Sequence, residues 1–218
     1  VVVAIIGVET YWGRITGNFR TIDVLATLSF DYLRRADYYR KELVELLLLA
    51  REQGTDPLRF KGSFAGAIGL PQFMPGSIRR FAVDFDGDGR IDLAGSPTDA
   101  IGSVANFLVE HGWQRCLPVL FEAEADVAIV DALGRGIAAS ATWADALMAG
   151  VAPDLPLEFD TPVLVIDLPY LDAGGETRRL YRVGTVNFAA ILQYNRSYFY
   201  ATAVVELAEA LRREVGRS

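Results

Sequence analysis

Aspartate recurs at every second position of one short loop, from Asp84 through Asp86 to Asp88, and Gly89 follows. Such a loop directs several carboxylate oxygens at one point, and Ca²⁺ takes about six to eight oxygen ligands in flexible geometry. The first, third, fifth, sixth and ninth positions of an EF-hand loop correspond to Asp84, Asp86, Asp88, Gly89 and Asp92. The twelfth position holds Gly95 where an EF-hand has glutamate, so the last ligand must come from elsewhere. The loop therefore predicts a calcium site, and a solvated acidic turn is the alternative.

The composition is that of an acidic globular protein. The chain has 218 residues, 51% of them hydrophobic, which is enough to bury a substantial core. The formal net charge is −7 and no block of Lys or Arg occurs, which argues against nucleic acid and anionic membranes as main partners. Cys116 is the only cysteine, so an internal disulfide is impossible. No apolar run is long enough to span a bilayer, and the abrupt start at Val1 is typical of a processed or trimmed N-terminus.

Helical patterns dominate the first half of the chain. Helices are predicted at residues 1–12, 22–35, 38–53 and 76–83. A further helix begins after Ser96, which has the properties of an N-cap, with Pro97 at the first helical position, and runs to about Glu110. Residues 61–76 are rich in glycine and small side chains, so the backbone there can approach another group closely.

The second half mixes strands and helices. A strand at 163–168, a turn at 172–175 and a return strand at 177–183 predict a hairpin, with Arg178 and Arg179 as exposed edge residues. Helices are predicted at 141–148, 185–194 and 197–214.

Glu9 lies in an otherwise apolar stretch that ends near Gly13. Burial among apolar side chains disfavours a charged carboxylate, so we expect the pKa of Glu9 to be raised. A carboxylic acid that stays protonated near neutral pH can donate a proton to a glycosidic oxygen. On local sequence alone, a charge at a helix end explains Glu9 better than catalysis does. The neighbouring Trp12 either packs on the helix or forms a wall of a cleft.

Four segments carry distinctive motifs in a fixed order: Gly7–Gly13, Gly62–Pro75, the loop Asp84–Asp92 with Asp99–Asn106, and Tyr194–Ala201. Together they resemble the membrane-bound lytic murein transglycosylase B family of bacterial cell-wall enzymes. The resemblance covers nearly the whole chain and is weakest between about residues 118 and 180.

The resemblance implies a mainly α (α+β) fold, with a lysozyme-like helical core, an EF-hand-type calcium loop and a small β-containing insertion. Residues 1–117 would form the first part of the core and 118–184 the insertion subdomain. Residues 185–218 would supply the C-terminal helices that complete the core.

The resemblance also implies roles for individual residues. Glu9 matches the single catalytic acid and base of the family. The positions that match cleft-lining or sugar-contacting residues are Ser63, Gln72, Tyr194, Asn195, Tyr200 and Phe107, the last where tyrosine is common. The matches to structural Ca²⁺ ligands are Asp84, Asp86, Asp88, Arg90 (through its backbone carbonyl) and Asp99. Asp99 is also an acid at the third position of a capped helix, so a ligand role and a cap role both remain open.

Family members cleave peptidoglycan between N-acetylmuramic acid and N-acetylglucosamine and leave a 1,6-anhydro end. A single carboxyl group suffices if it protonates the leaving oxygen and then accepts the proton of the sugar's own 6-hydroxyl. A hydrolytic muramidase and a non-catalytic peptidoglycan-binding module are the alternatives. The resemblance further implies a periplasmic, monomeric protein of a Gram-negative envelope, and it leaves open whether the full-length protein has an outer-membrane lipid anchor.

Overall fold

The computed structural model describes residues 1–153 and 155–216, which form two compact units. The first unit is Val1–Glu110 and the second is His111–Ser218. Among the described residues, no helix is both long enough and apolar enough to cross a membrane.

The first unit is mostly helical. Its elements are α1 (Val2–Thr10), β1 (Phe19–Arg20), α2 (Thr21–Phe30), α3 (Ala36–Glu52), β2 (Lys61–Gly62), α4 (Pro75–Phe81) and α5 (Pro97–Glu110). The helix predicted at 22–35 is shorter than expected, because Tyr32 leaves the helical region (φ −110°, ψ 80°) and a separate 3₁₀ turn follows at Leu33–Arg35. The N-cap predicted at Ser96 is confirmed, since its side-chain oxygen accepts a hydrogen bond from the Asp99 N–H at 3.2 Å.

Helix α1 belongs to the core of the first unit. Its residues are apolar on nearly every side, which is typical of a buried helix. Ala4 and Ile5 are fully buried, and α1 packs against α5. Helix α2 packs on α3, which in turn contacts α4. The short strands β1 and β2 pair antiparallel, with Phe19 opposite Gly62.

The second unit is built on a four-stranded antiparallel sheet. Its elements are β3 (Leu120–Ala123), α6 (Val127–Leu133), β4 (Ala141–Thr142), α7 (Trp143–Met148), β5 (Pro162–Leu171), β6 (Thr177–Thr185), α8 (Val186–Tyr194) and α9 (Tyr198–Val215). The strand order is β3-β6-β5-β4, and β5 and β6 form the predicted hairpin. The fully buried Trp143, Val130 and Val183 form part of its core. Helix α7 begins two residues later than predicted because Thr142 and Asp145 form a capping box at its start.

Arg179 is exposed, as predicted, and it also makes an ion pair that the sequence pattern did not indicate. Its guanidinium pairs with Asp167 on β5, whose side chain is only 3% exposed. The same carboxylate accepts a second charge-assisted hydrogen bond from Arg135 at 2.5 Å. Arg178, as predicted, is an exposed side chain. A buried aspartate on one strand therefore pairs with an exposed arginine on the next strand.

Candidate active site

Glu9 occupies the last turn of α1 and is half-buried. The helix ends because Tyr11 takes a left-handed conformation (φ 51°, ψ 49°), and Trp12 (φ 54°) does the same. Left-handed backbone is uncommon for residues with large side chains, and such strain concentrates at functional sites. The Trp12 indole folds back onto α1, where its Nε1–H donates to the Val3 carbonyl at 3.2 Å. Trp12 therefore packs on the helix, although its side chain remains partly exposed.

Thr10, directly after Glu9, connects α1 to the glycine-rich segment. Its side chain is 1% exposed, and its hydroxyl lies 3.0 Å from the Leu70 carbonyl oxygen and 3.1 Å from that of Ile6. The same oxygen accepts a hydrogen bond from the Gly13 N–H at 3.0 Å. The helix end, the turn after it and Leu70 thus meet at one buried hydroxyl.

Ser63 stands at the start of the glycine-rich segment, just after β2. Its hydroxyl oxygen accepts hydrogen bonds from the N–H groups of Ala67 (3.1 Å) and Ala65 (3.4 Å). Its backbone N–H donates to the Ala67 carbonyl at 2.9 Å. Within the described parts of the chain no group accepts the Ser63 hydroxyl proton, which is therefore available to a ligand.

Gln72 is held in a left-handed conformation (φ 51°) by its own side chain. Its Nε2 donates to the Gly69 carbonyl at 2.9 Å and to the Thr16 carbonyl at 3.1 Å. The amide nitrogen is therefore committed to the protein, and the amide oxygen is the atom that Gln72 can offer to a sugar. The bond to Thr16 also joins the glycine-rich segment to the chain that follows α1.

Phe107 on α5 is 5% exposed. Its ring lies 5.6 Å from that of Phe73 and 5.1 Å, edge-on, from that of Phe81. Phe107 is therefore a core residue that supports Phe73, the neighbour of Gln72, from beneath.

Glu42 on α3 supports the same segment, a role that no pattern in the sequence indicates. Its side chain is 6% exposed and accepts a hydrogen bond from the Gly76 N–H, in the first turn of α4, at 2.8 Å. Burial raises the pKa of the Glu42 carboxyl, and the Gly76 N–H and the Arg80 charge offset only part of that effect.

The remaining predicted site residues lie in the second unit, around the turn between α8 and α9. The rings of Tyr194 and Tyr200 are nearly parallel (14°), with centroids 6.4 Å apart. Asn195 ends α8 in an extended conformation and is exposed. Tyr198 begins α9, and its hydroxyl donates to the Gly136 carbonyl at 2.6 Å, which fixes this turn to the loop after α6.

The acidic loop brings together three of the five predicted calcium ligands. Carboxylate oxygens of Asp84, Asp86 and Asp99 all lie within 4.8 Å of one another. The Asp88 carboxylate instead accepts the Arg90 N–H at 2.8 Å. Converging carboxylate oxygens are the donors that Ca²⁺ requires, so these residues fit the ion.

Asp99 closes this loop. The N–H groups of Phe85 and Asp92 each donate to its carboxylate at 2.9 Å, and that of Asp86 lies 3.4 Å away. Burial acts to raise the pKa of Asp99, but these N–H donors outweigh it, so the pKa lies below its usual value. The sequence did not predict the contribution of Ser96, whose hydroxyl donates to the Asp86 carboxylate at 2.7 Å.

The chain is similar to known proteins in both sequence and fold. The family model described as Transglycosylase SLT domain matches residues 1–209. Membrane-bound lytic murein transglycosylase B of Escherichia coli (strain K12) is 44% identical over 211 residues, which are 97% of this chain and 56% of that protein. The chain thus spans little more than half the length of this relative.

Solved structures of lytic transglycosylases resemble nearly the whole chain. Catenated lytic transglycosylase SltB1 from Pseudomonas aeruginosa is 48% identical with a TM-score of 0.87, covering 98% of this chain and 69% of that one. Escherichia coli lytic transglycosylase Slt35 in complex with calcium is 42% identical with a TM-score of 0.80, covering 98% and 65%. SltB3 from Pseudomonas aeruginosa in complex with NAG-anhNAM-pentapeptide is 33% identical with a TM-score of 0.77, covering 97% and 56%.

These similarities confirm the predicted mainly helical α+β, lysozyme-like fold class. The family match covers nearly all of the sequence, and both the curated relative and the solved structures are named as lytic transglycosylases. The chain belongs to the transglycosylase SLT domain family.

Proposed function

We propose that this chain is a lytic transglycosylase, which cleaves the β-1,4 bond between N-acetylmuramic acid and N-acetylglucosamine in peptidoglycan. The observation that carries the proposal is the placement of Glu9. It is half-buried at the end of an apolar helix, and that end is bonded through Thr10 to the glycine-rich segment that contains Ser63 and Gln72.

In the proposed reaction, Glu9 begins as a carboxylic acid and donates its proton to the glycosidic oxygen as the bond from that oxygen to C1 breaks. The 6-hydroxyl oxygen of the same muramic acid then bonds to C1, and its proton passes to the Glu9 carboxylate. Glu9 ends protonated, as it began, and no water is consumed. Intramolecular attack by the 6-hydroxyl on C1 can outcompete attack by water, because the hydroxyl is already tethered to the reacting sugar.

Other residues orient the substrate. The free hydroxyl proton of Ser63 is suited to donate to an acetamido carbonyl, which could itself stabilise positive charge at C1. The amide oxygen of Gln72 can accept from a sugar hydroxyl. Tyr194, Asn195 and Tyr200 are proposed sugar contacts from the turn between α8 and α9, since aromatic faces and an exposed amide suit carbohydrate.

Calcium is proposed as a structural ion held by Asp84, Asp86 and Asp99, with Asp88 and the Arg90 carbonyl completing the set. When bound, the ion would cross-link the loop to α5.

The name and organism of the curated relative support a place in a Gram-negative cell envelope, with peptidoglycan as the partner. We further propose that the protein acts as a monomer in the periplasm, lipid-anchored in its full-length form, and that residues 1–117 and 185–218 form the core around the 118–184 insertion.

Mass spectrometry of the glycan fragments released from purified peptidoglycan tests the proposal. A lytic transglycosylase leaves an end that is lighter by one water and cannot be reduced by borohydride. Reducible muramic acid ends would instead indicate a hydrolytic muramidase, and binding without release would indicate a non-catalytic module.

A further inference from the structure

Thr10 has more hydrogen-bonded connections than its position in a helix requires. We propose that Thr10 is a positioning residue for Glu9, because its buried hydroxyl fixes the catalytic end of α1 to Leu70 in the glycine-rich segment. This inference rests on the proposed function of Glu9, since it concerns how accurately that carboxyl group is held.

The hydroxyl has one proton and two acceptors within reach, the carbonyl oxygens of Ile6 and Leu70. The Ile6 carbonyl is the normal helical acceptor for the Thr10 N–H, four residues on. The contact to Leu70 is the one that crosses 60 residues of chain. Removing the hydroxyl would leave the half-buried Leu70 carbonyl without this donor and the Gly13 N–H without its acceptor.

Leu70, whose carbonyl binds the Thr10 hydroxyl, is also held in place through its own N–H group. The Leu70 N–H donates to the Leu93 carbonyl at 2.8 Å, immediately after the acidic loop. A side chain at Gly69 would clash with that same carbonyl, since an added Cβ would lie 2.5 Å from the Leu93 oxygen. The Leu70 peptide is therefore a fixed point, and Thr10 connects Glu9 to it rather than to a loose loop.

A second hydrogen bond connects the same two segments of the chain. The Gln72 amide nitrogen donates to the Thr16 carbonyl, six residues after Thr10. Two side chains, one from each segment, thus lock the chain around Glu9 to residues 70–72. Locking of this kind matters for the proposed reaction, because a misplacement of about 1 Å can cost about 100-fold in rate. It also decides whether the 6-hydroxyl or a water molecule reaches C1.

The test compares Thr10→Val, which keeps the shape and removes the hydroxyl, with Thr10→Ser, which keeps the hydroxyl. Thr21→Val is the matched control, because Thr21 is equally buried and, among the described residues, its hydroxyl has no hydrogen-bond partner. Each variant is assayed on purified peptidoglycan for kcat, for KM and for the ratio of anhydro to reducible ends. The ratio does not depend on how much of the protein is folded.

We expect Thr10→Val to lower kcat by about 10- to 100-fold with little change in KM, and to raise the fraction of reducible ends. Thr10→Ser should restore both, and Thr21→Val should match the wild type. A Thr10→Val variant with wild-type kcat and product ratio would overturn the positioning role, as would a Thr10→Ser variant as impaired as Thr10→Val. A wild-type chain that forms no anhydro ends would overturn the proposed function itself.

Discussion

The backbone N–H of Asp92 donates a hydrogen bond to the Asp99 carboxylate at 2.9 Å, across the seven positions that separate them in the chain. With the matching bond from Phe85, it draws both sides of the acidic loop onto the first turn of α5. An EF-hand closes with a glutamate at its twelfth position, which this chain lacks. Here the Asp99 carboxylate closes the loop through these hydrogen bonds. It also lies within 4.8 Å of the carboxylate oxygens of Asp84 and Asp86.

Calcium should therefore stabilise the protein against heat. A ligand at about 100 times its Kd contributes about 2.7 kcal/mol to the folded state. For a chain of this size, that corresponds to a rise in Tm of about 5–10 °C, which differential scanning calorimetry can measure. Asp99→Asn should abolish most of the rise, whereas Asp31→Asn, an exposed control, should retain it. An unchanged Tm on adding calcium to thoroughly chelated wild type would rule out the metal site.

The indole of Trp12 packs so closely on Gly7 that it leaves no room for a side chain there. A Cβ at Gly7 would lie 2.8 Å from the Trp12 ring. Gly7→Ala should therefore destabilise the protein by about 1–3 kcal/mol through overpacking, although alanine favours helix by about 1 kcal/mol. In a Trp12→Ala background the same change should be neutral or stabilising. Equal losses in both backgrounds, by denaturant unfolding, would show that the indole is not the cause.

Glu42 should make stability depend on pH. Its pKa is higher in the folded chain than in the unfolded one, so the folded chain binds the proton more tightly. The free energy of unfolding should then fall as the pH rises from the unfolded pKa, near 4.5, and level off above the folded pKa. Glu42→Gln lacks this titration, so wild type should lose stability relative to it across that range. Curves for wild type and Glu42→Gln that stay parallel across this range would contradict the assignment.

Asp167 should contribute strongly to the free energy of unfolding through its two ion pairs. Removing one partner of a buried ion pair costs about 3–5 kcal/mol, and partial exposure of Arg135 and Arg179 reduces that. We expect Asp167→Ala to destabilise the protein by about 2–4 kcal/mol. Arg178→Ala, which breaks only exposed pairs, should change stability by less than about 1 kcal/mol. Similar effects of the two substitutions in urea unfolding would argue against a special role for Asp167.

Features that depend on neighbouring residues could be predicted from the sequence. The β5–β6 hairpin follows from two runs of strand-forming residues around a glycine turn, and the start of α5 follows from Ser96 and Pro97. The acidic loop was predicted from its spacing alone. In each case the residues that give the signal lie together in one short stretch of the sequence.

Contacts between distant segments could not be predicted in this way. The bond from Thr10 to Leu70 spans 60 residues, and that from Gln72 to Thr16 spans 56. Asp167 attracts Arg135 from a loop 32 residues earlier, which no local pattern records. Phe107 was matched to a sugar-binding position by resemblance, and only its packing against Phe73 and Phe81 reveals a core side chain. Such contacts depend on tertiary packing, and they are the ones that hold the candidate site together.

The central claim is that Glu9 is the single acid and base of an anhydro-forming cleavage. The most direct test is to digest purified peptidoglycan with Glu9→Gln and with Glu206→Gln, and to quantify 1,6-anhydromuramic acid ends by mass spectrometry. The amide cannot donate or accept the proton, so Glu9→Gln should release at least about 1,000-fold fewer anhydro ends, while Glu206→Gln should match the wild type. Anhydro ends released by Glu9→Gln at the wild-type rate would contradict the account.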